Sequence, residues 1–182
     1  DFDLEDAAQL ADLVMYGLRS RRSGQTRSEE NRFLATCTAA IKVADLTHRL
    51  ADQALDRAVL ESAVQPAEVV VLDDAAARAL LPAHAAEPVD ELLSRLLRAH
   101  QMVIHRSAED EVIRYSVHSA DGASTGGSAP DASSRAHVAW LVALLTMLLR
   151  GRSIDECCAT ADVVAQHPGD QPLPEDVLAP LA

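Results

Sequence analysis

The sequence predicts an α/β fold, a three-layer sandwich with a mostly parallel sheet, and three observations carry that reading. Short apolar segments recur near Leu13, Ile41, Val69 and Met102, roughly 30 residues apart, with a helical pattern between each pair. One of them, Val69-Val70-Val71-Leu72, is β-branched and unbroken, as befits a strand buried on both faces. At 182 residues with 48% hydrophobic side chains, the chain is long enough to close a core, and residues 1–182 read as one α/β domain. Strands joined through helices pair in parallel, because a parallel crossover needs a dozen or more residues.

The elements follow in order. Leu4, Ala7, Ala8 and Ala11 fall on one face of a helix over Leu4–Leu13. The run Leu13-Val14-Met15-Tyr16, closed by Gly17, fits either the last turn of that helix or a short buried strand. Arg19–Ser28 is a polar loop. Ser28–Val64 can be counted as one long helix, which would favour an all-α alternative. It can also be broken by a strand at Ala40–Asp45 and a polar Leu46-Thr47-His48 loop, with helices Glu29–Ala39 and Leu50–Ala63 on either side. The broken version is preferred, since it keeps the strand spacing.

After Pro66 comes the Val69–Leu72 strand, closed by Asp73-Asp74, which cap a helix over Ala75–Leu81. Pro82 stops that helix, and Pro88 opens the next, Val89–Ala99, with Leu92, Leu93, Leu96 and Leu97 on one face. Met102–His105 is a strand, Ser107–Glu111 a charged turn, and Val112–His118 an alternating second strand of a hairpin. The stretch DGASTGGSAPDASS then reads as a flexible loop running into the most apolar helix, Arg135–Leu149. Ser153 with Glu156 forms a capping box at the start of Ile154–Gln166, and a short Pro-flanked helix at Glu175–Leu178 closes the chain.

Composition narrows the function. A net charge of −12 with a single lysine, Lys42, speaks against nucleic acid or an anionic membrane as a partner, because phosphate backbones are bound by clustered Lys and Arg. Aromatic residues are only 3%, so stacking platforms for bases or sugars are few. Cys37, Cys157 and Cys158 form neither a disulfide framework nor a metal-ligand spacing, and read as buried thiols of the cytoplasm or another reducing compartment. The seven histidines show no i, i+4 ligand pair. No uncharged apolar run approaches the roughly 20 residues of a membrane span.

In open parallel sheets, ligands bind beyond the carboxyl ends of the strands. The residues expected there are Gly17–Arg19, Asp45–Arg49, Asp73 and Asp74, and His105–Ser107. The Gly/Ser loop before the apolar helix adds a further expectation, since the unpaired N–H groups of a helix start attract an anion.

With those segments in place, the chain resembles the ribokinase-like, or PfkB, carbohydrate kinases. ADLVMYGL is similar to the family's strand near the sugar site, and AIKVADLTHR to its Asp-x-Asn-x-Arg strand. AEVVVLDDAAARALL resembles the strand and helix bearing an Asn-Glu motif, and MVIHRSAEDEVIRYSV the Thr-Arg-Gly hairpin. The span from ALLTMLLRGRS through the proline-bearing tail is similar to the last helices. The resemblance covers the C-terminal two thirds of such a kinase; its preceding lid and much of its sugar site have no counterpart in this sequence. It implies ATP and Mg²⁺ as cofactors of an active form, with Asp73, Asp74, His105, Arg106, Ser107 and Arg135 at the nucleotide, Asp74 at the metal, and Asp45, His48 and Arg49 at the substrate.

The departures from the family are at the chemistry. The family's Gly-Ala-Gly-Asp motif supplies an anion hole and the base that deprotonates the sugar hydroxyl. Here the equivalent stretch is Ser133-Ser134-Arg135-Ala136-His137-Val138. One alignment places His137 at the aspartate and a one-residue shift places Val138 there; neither is a carboxylate. Asp73-Asp74 replaces Asn-Glu, and Ser107 and Asp110 replace two glycines of the hairpin.

His137 is the catalytic candidate, since imidazole can serve as a general base near neutral pH. The expectation is a degenerate, inactive kinase-like domain with a binding or assembly role, having a protein partner or further copies of itself. The alternative is an active small-molecule kinase. Each candidate also has a plain structural reading: Asp73 and Asp74 as helix caps, His48, Arg49, His105 and Arg106 as polar strand ends, and Trp140 as core.

Overall fold

The computed structural model describes residues 12–17, 33–34, 37, 41–47, 57–109, 112–122, 124–129 and 134–167. Six strands, β1 (Leu13–Gly17), β2 (Ile41–Asp45), β3 (Val69–Leu72), β4 (Met102–Glu109), β5 (Val112–Ser119) and β6 (Ser124–Ala129), lie in one sheet in chain order. Among the described residues the helices are α1 (Arg57–Val64), α2 (Asp74–Leu80), α3 (Val89–Leu96), α4 (Ser134–Leu149) and α5 (Ile154–Gln166), with a 3-10 turn at Pro82–His84. The architecture is α/β, and the all-α alternative falls with β1 and β2. The chain separates into two compact units, Asp1–Ile104 and His105–Ala182, with β4 continuous across the division.

In the first unit β1, β2 and β3 are parallel, with Leu13 opposite Ile41 and Gly17 opposite Asp45, then Val43 opposite Val69. Leu13–Tyr16 is therefore strand rather than helix end, and Ser28–Val64 is not one helix, because Ile41–Asp45 is held in the sheet. The interruption has a local cause. Val43 and Ala44 are fully buried between neighbouring strands, and the Lys42 N–H donates to Glu68 Oε2 at 2.7 Å. The expected helices at Leu4–Leu13 and Glu29–Ala39 and the tail helix at Glu175–Leu178 fall wholly or largely outside the described residues.

All four β3 residues are buried, as a central parallel strand requires. Leu46, Leu60, Leu92 and Leu93 pack in one core with its Val70 and Leu72, together with Ala76 and Ala77, small residues that let α2 approach the sheet. Tyr16 donates its hydroxyl proton to the Ala63 carbonyl at 2.8 Å, tying β1 to α1. The α2–α3 connection is pinned by two arginines. Arg78 donates to the carbonyls of Ala85 and Glu87, and Arg95 donates two N–H groups to the Glu87 carboxylate at 2.9 and 3.1 Å.

In the second unit β5 and β6 are antiparallel, pairing Ile113 with Ala129, Tyr115 with Gly127 and His118 with Ser124. This is the main correction to the sequence reading. The stretch DGASTGGSAPDASS is not a flexible loop throughout; Ser124–Ala129 is a strand. Glycine and serine have little intrinsic preference for strands, but packing outweighs it here. A Cβ on Gly127 would lie 2.5 Å from Trp140 Cζ2 and 2.9 Å from Asp162 Oδ1, so only glycine lets the indole lie on β6.

Helix α4 ends in a Schellman turn. Gly151 takes φ 70°, its N–H donates to Leu148 at 2.9 Å, and the Arg152 N–H donates to Met147 at 3.2 Å. Helix α5 starts at the expected capping box, with Ser153 Oγ accepting from the Glu156 N–H and the Glu156 carboxylate accepting from the Ser153 N–H. The Ser153 hydroxyl also donates to Glu156 Oε2 at 2.9 Å, and this bond first, then the one from the Ser153 N–H, holds the Glu156 carboxyl below its ordinary range. Cys157 and Cys158 face the core, and burial pushes their thiols up to about 11 and about 12.

Candidate functional site

Two parts of the structure carry the chemistry the sequence points to, and each belongs to one unit. The first is the carboxyl edge of β2 and β3. These parallel neighbours end in Asp45 and, one residue past Leu72, in Asp73, so both acids reach the edge where ligands of such sheets bind. Their carboxylates already have backbone work. Asp45 is buried, and its Oδ1 accepts from the Thr47 N–H at 2.9 Å and the Thr47 hydroxyl at 2.7 Å, closing the turn after β2. Asp73 is the N-cap of α2, with Oδ1 accepting the Ala76 N–H at 2.8 Å. Asp74 stands exposed in the first turn of α2, where a negative charge favours the helix dipole.

No group of three or more His, Cys, Asp or Glu side chains converges on a metal position among the described residues. His48 and Arg49 lie outside the described residues.

The second part lies around β4, β5, β6 and the start of α4. His105, Arg106 and Ser107 sit half-buried on β4. Arg106 Nε is buried with no hydrogen-bond partner, an orphaned donor of the kind that an anion can satisfy. Arg135 is exposed in the first turn of α4.

His137 lies two residues further along and is fully buried. Its Nδ1 is 2.8 Å from the Tyr115 hydroxyl, and the two rings stack with centroids 5.8 Å apart. Tyr115 in turn stacks on Trp140, with centroids 3.9 Å apart and planes 7° from parallel. The Trp140 Nε1–H donates to Asp162 Oδ1 at 2.7 Å, and the same oxygen accepts the Ser128 N–H at 2.7 Å. The result is a continuous polar and aromatic chain, His137-Tyr115-Trp140-Asp162, that fastens β6 to α4 and α5.

Sequence reasoning missed Tyr115 and Asp162. Tyr115 stands at an inward position of an alternating strand, and Asp162 lies beside the buried face made by Cys157, Cys158, Ala161 and Ala165. An acid next to such a face signals a buried acceptor for a nearby indole.

Among the described residues, the side chains do not assemble a phosphotransfer centre for Mg-ATP. A general base must come within hydrogen-bond reach of the proton it removes. His137 is enclosed by the core of its own unit, and Asp45 and Asp73 of the first unit are committed to a turn and a cap.

These elements define a class: an open α/β sheet, parallel at β1 to β3 and antiparallel at β5 and β6, with acids at the carboxyl ends of its parallel strands. The fold is that of the ribokinase-like kinases. The chain is similar to pyridoxal kinase from Staphylococcus aureus in complex with ADP, at TM-score 0.62 and 15% identity over 89% of this chain and 64% of that one. The same kinase in complex with AMP-PCP and pyridoxal aligns at TM-score 0.62 and 14% identity, covering 89% of this chain and 63% of that one. Adenosine kinase from Sinorhizobium meliloti aligns at TM-score 0.65 and 15% identity, covering 91% of this chain and 50% of that one. The chain thus spans between 50% and 64% of the length of these kinases. No protein-family model matches the sequence, and no curated protein matches it. No described helix is long and apolar enough to cross a membrane.

Proposed function

We propose that this chain is a degenerate kinase-like domain, without phosphotransfer activity, that serves in binding or assembly with a protein partner or with further copies of itself. One observation carries the reading. One alignment with the resemblance places His137 at the catalytic aspartate, and that imidazole is fully buried and bonded to Tyr115 at 2.8 Å; the one-residue shift places Val138 there, which has no proton-accepting group. Such a histidine holds a core together; it does not reach a substrate hydroxyl. The net charge of −12 directs the binding role toward proteins rather than nucleic acid or anionic lipid.

A second reading, an ATP-dependent kinase acting on a sugar or related small molecule, is favoured by one feature. The orphaned Arg106 Nε offers a donor to a phosphate, and a similar fold holds ADP in the pyridoxal kinase. Incubation of the chain with Mg-ATP and a panel of alcohol-bearing acceptors separates the two. The first reading predicts no ADP release and no phosphorylated product. The second predicts turnover together with a rise in melting temperature, about 2.7 kcal/mol of added stability at a hundredfold excess over Kd. A rise without turnover would leave a nucleotide-binding domain that has lost the reaction.

A further inference from the structure

The two borders of the sheet are finished differently. At β6 the Ser128 N–H, which the β5 ladder leaves unused, is taken by Asp162 Oδ1 at 2.7 Å, and Trp140 and Asp162 crowd Gly127. A side chain thus occupies a border donor, one of the ways proteins guard a sheet edge.

Strand β1 has no such guard. It stands at the end of the strand order, and among the described residues no strand lies beyond it. Its segment, Leu13-Val14-Met15-Tyr16-Gly17, has no charge, no proline and no bulge in its unbroken pairing with β2. All five residues are half-buried, whereas β3, inside the sheet, is buried throughout. The Ile41 N–H donates to the Asp12 carbonyl at 3.2 Å. Alternate residues of a parallel strand face one neighbour, so Asp12, Val14 and Tyr16 address β2, while the backbone N–H and C=O groups of Leu13 and Met15 point away from it.

What fits this border is an extended, uncharged strand, and the charge pattern along the chain selects which one. The twelve residues before β1 contain five acids and no lysine or arginine; the eleven after it contain four arginines and no acid. Two copies of β1 laid antiparallel bring the acidic lead-in of each beside the basic lead-out of the other. Parallel pairing would set like charges together at both ends. With a two-fold axis at Met15, Val14 of one copy stands across from Tyr16 of the other, an aliphatic–aromatic pair formed twice.

We propose that β1 pairs antiparallel with β1 of a second copy of this chain, about a two-fold axis at Met15. This rests on the reading of the chain as an assembly domain and names the surface that assembles it. The pair is closed, because the guarded β6 border stops further addition. Two five-residue strands bury less than the roughly 1,600 Å² of a standard interface, so the dimer dissociates in the micromolar range.

Sedimentation velocity over a concentration series tests the association. The full chain is expected to pass from monomer to dimer, at higher concentration as salt is added. Met15→Lys places two like charges at the axis and should weaken the dimer at least about tenfold; Met15→Leu should leave it unchanged. Met15 is half-buried on a border strand, so both variants keep the fold, which circular dichroism checks. Cross-linking with oxidised glutathione tests the register. Residues paired across the axis have Cα atoms about 5.5 Å apart, within disulfide reach, so Met15→Cys should give a covalent dimer. Leu13→Cys should not, since the two copies of position 13 lie about 14 Å apart. The wild type, whose three cysteines are buried, should give none.

A chain that stays monomeric into the millimolar range, a dimer indifferent to salt or to Met15→Lys, or cross-linking of Leu13→Cys without Met15→Cys would overturn the proposal. ADP release is read separately. A monomer without turnover removes this interface and leaves the inactive-domain reading standing; a dimer with turnover removes that reading and leaves the interface.

Discussion

Gly127→Ala tests whether the Gly/Ser stretch serves packing. Its added Cβ would lie 2.5 Å from Trp140 Cζ2, 3.0 Å from Trp140 Cε2 and 2.9 Å from Asp162 Oδ1. Carbon pairs prefer about 3.5–4.0 Å, so the neighbours must retreat by about an ångström. Neither can do so freely. The indole is fully buried against Tyr115, and its N–H is bonded to the same Asp162 oxygen that receives the Ser128 N–H. Overpacking of this kind costs about 1–3 kcal/mol. A cost of about 2 kcal/mol corresponds to a fall of about 4–8 °C in Tm for a chain of this size.

Gly126→Ala is the matched control, because a Cβ there meets only the Tyr115 carbonyl at 3.5 Å. It should change stability by less than about 0.5 kcal/mol. Thermal melting followed by circular dichroism and tryptophan emission reads both variants. If Gly127→Ala melts with the wild type and leaves the emission unchanged, the packing account of β6 is refuted.

Tyr115→Phe takes the hydroxyl from a fully buried imidazole nitrogen and should cost about 1–3 kcal/mol in denaturant unfolding; a loss below a few tenths would show that the pair contributes nothing. Cys157 and Cys158 should resist a thiol reagent at pH 8 in the native chain and react on unfolding, with labelling read by mass spectrometry. Their folded values are raised from 9.0 to about 11 and about 12, so their contribution to stability is complete below pH 9 and is lost as pH rises through those values. Arg95 first, and then His84, hydrogen-bond the Glu87 carboxylate and hold it below its ordinary value of 4.5. Its contribution is therefore present above that pH and lost as the pH falls, so the stability gap between wild type and Glu87→Gln should close on acidification; a gap independent of pH would contradict the assignment.

Much of the fold is legible in the sequence because local signals and packing agree. Val69–Leu72 is a strand in both, Ser153 and Glu156 cap α5 as their spacing predicts, and Asp73 takes the N-cap position ahead of α2. Where they disagree, tertiary contact decides. Ser124–Ala129 has the composition of a loop and becomes a strand because β5 pairs with it and Trp140 needs a glycine beneath it.

The candidate site is less legible. The spacing places Asp45, Asp73 and His137 at plausible positions, but composition cannot say what each side chain touches. The partners that occupy them, Thr47, the Ala76 N–H and Tyr115, are set by local turns and by the sheet register. Asp162, the acceptor that organises the second unit's polar chain, looks in sequence like one more acid on a helix.

The most direct test of the central claim, that this kinase-like fold lacks the reaction, is ADP release from Mg-ATP by the full chain in the presence of alcohol acceptors, run beside His137→Asn. An inactive domain gives a rate equal to the protein-free background for both. ADP formation by the wild type that His137→Asn abolishes, with the fold retained by circular dichroism, would contradict it.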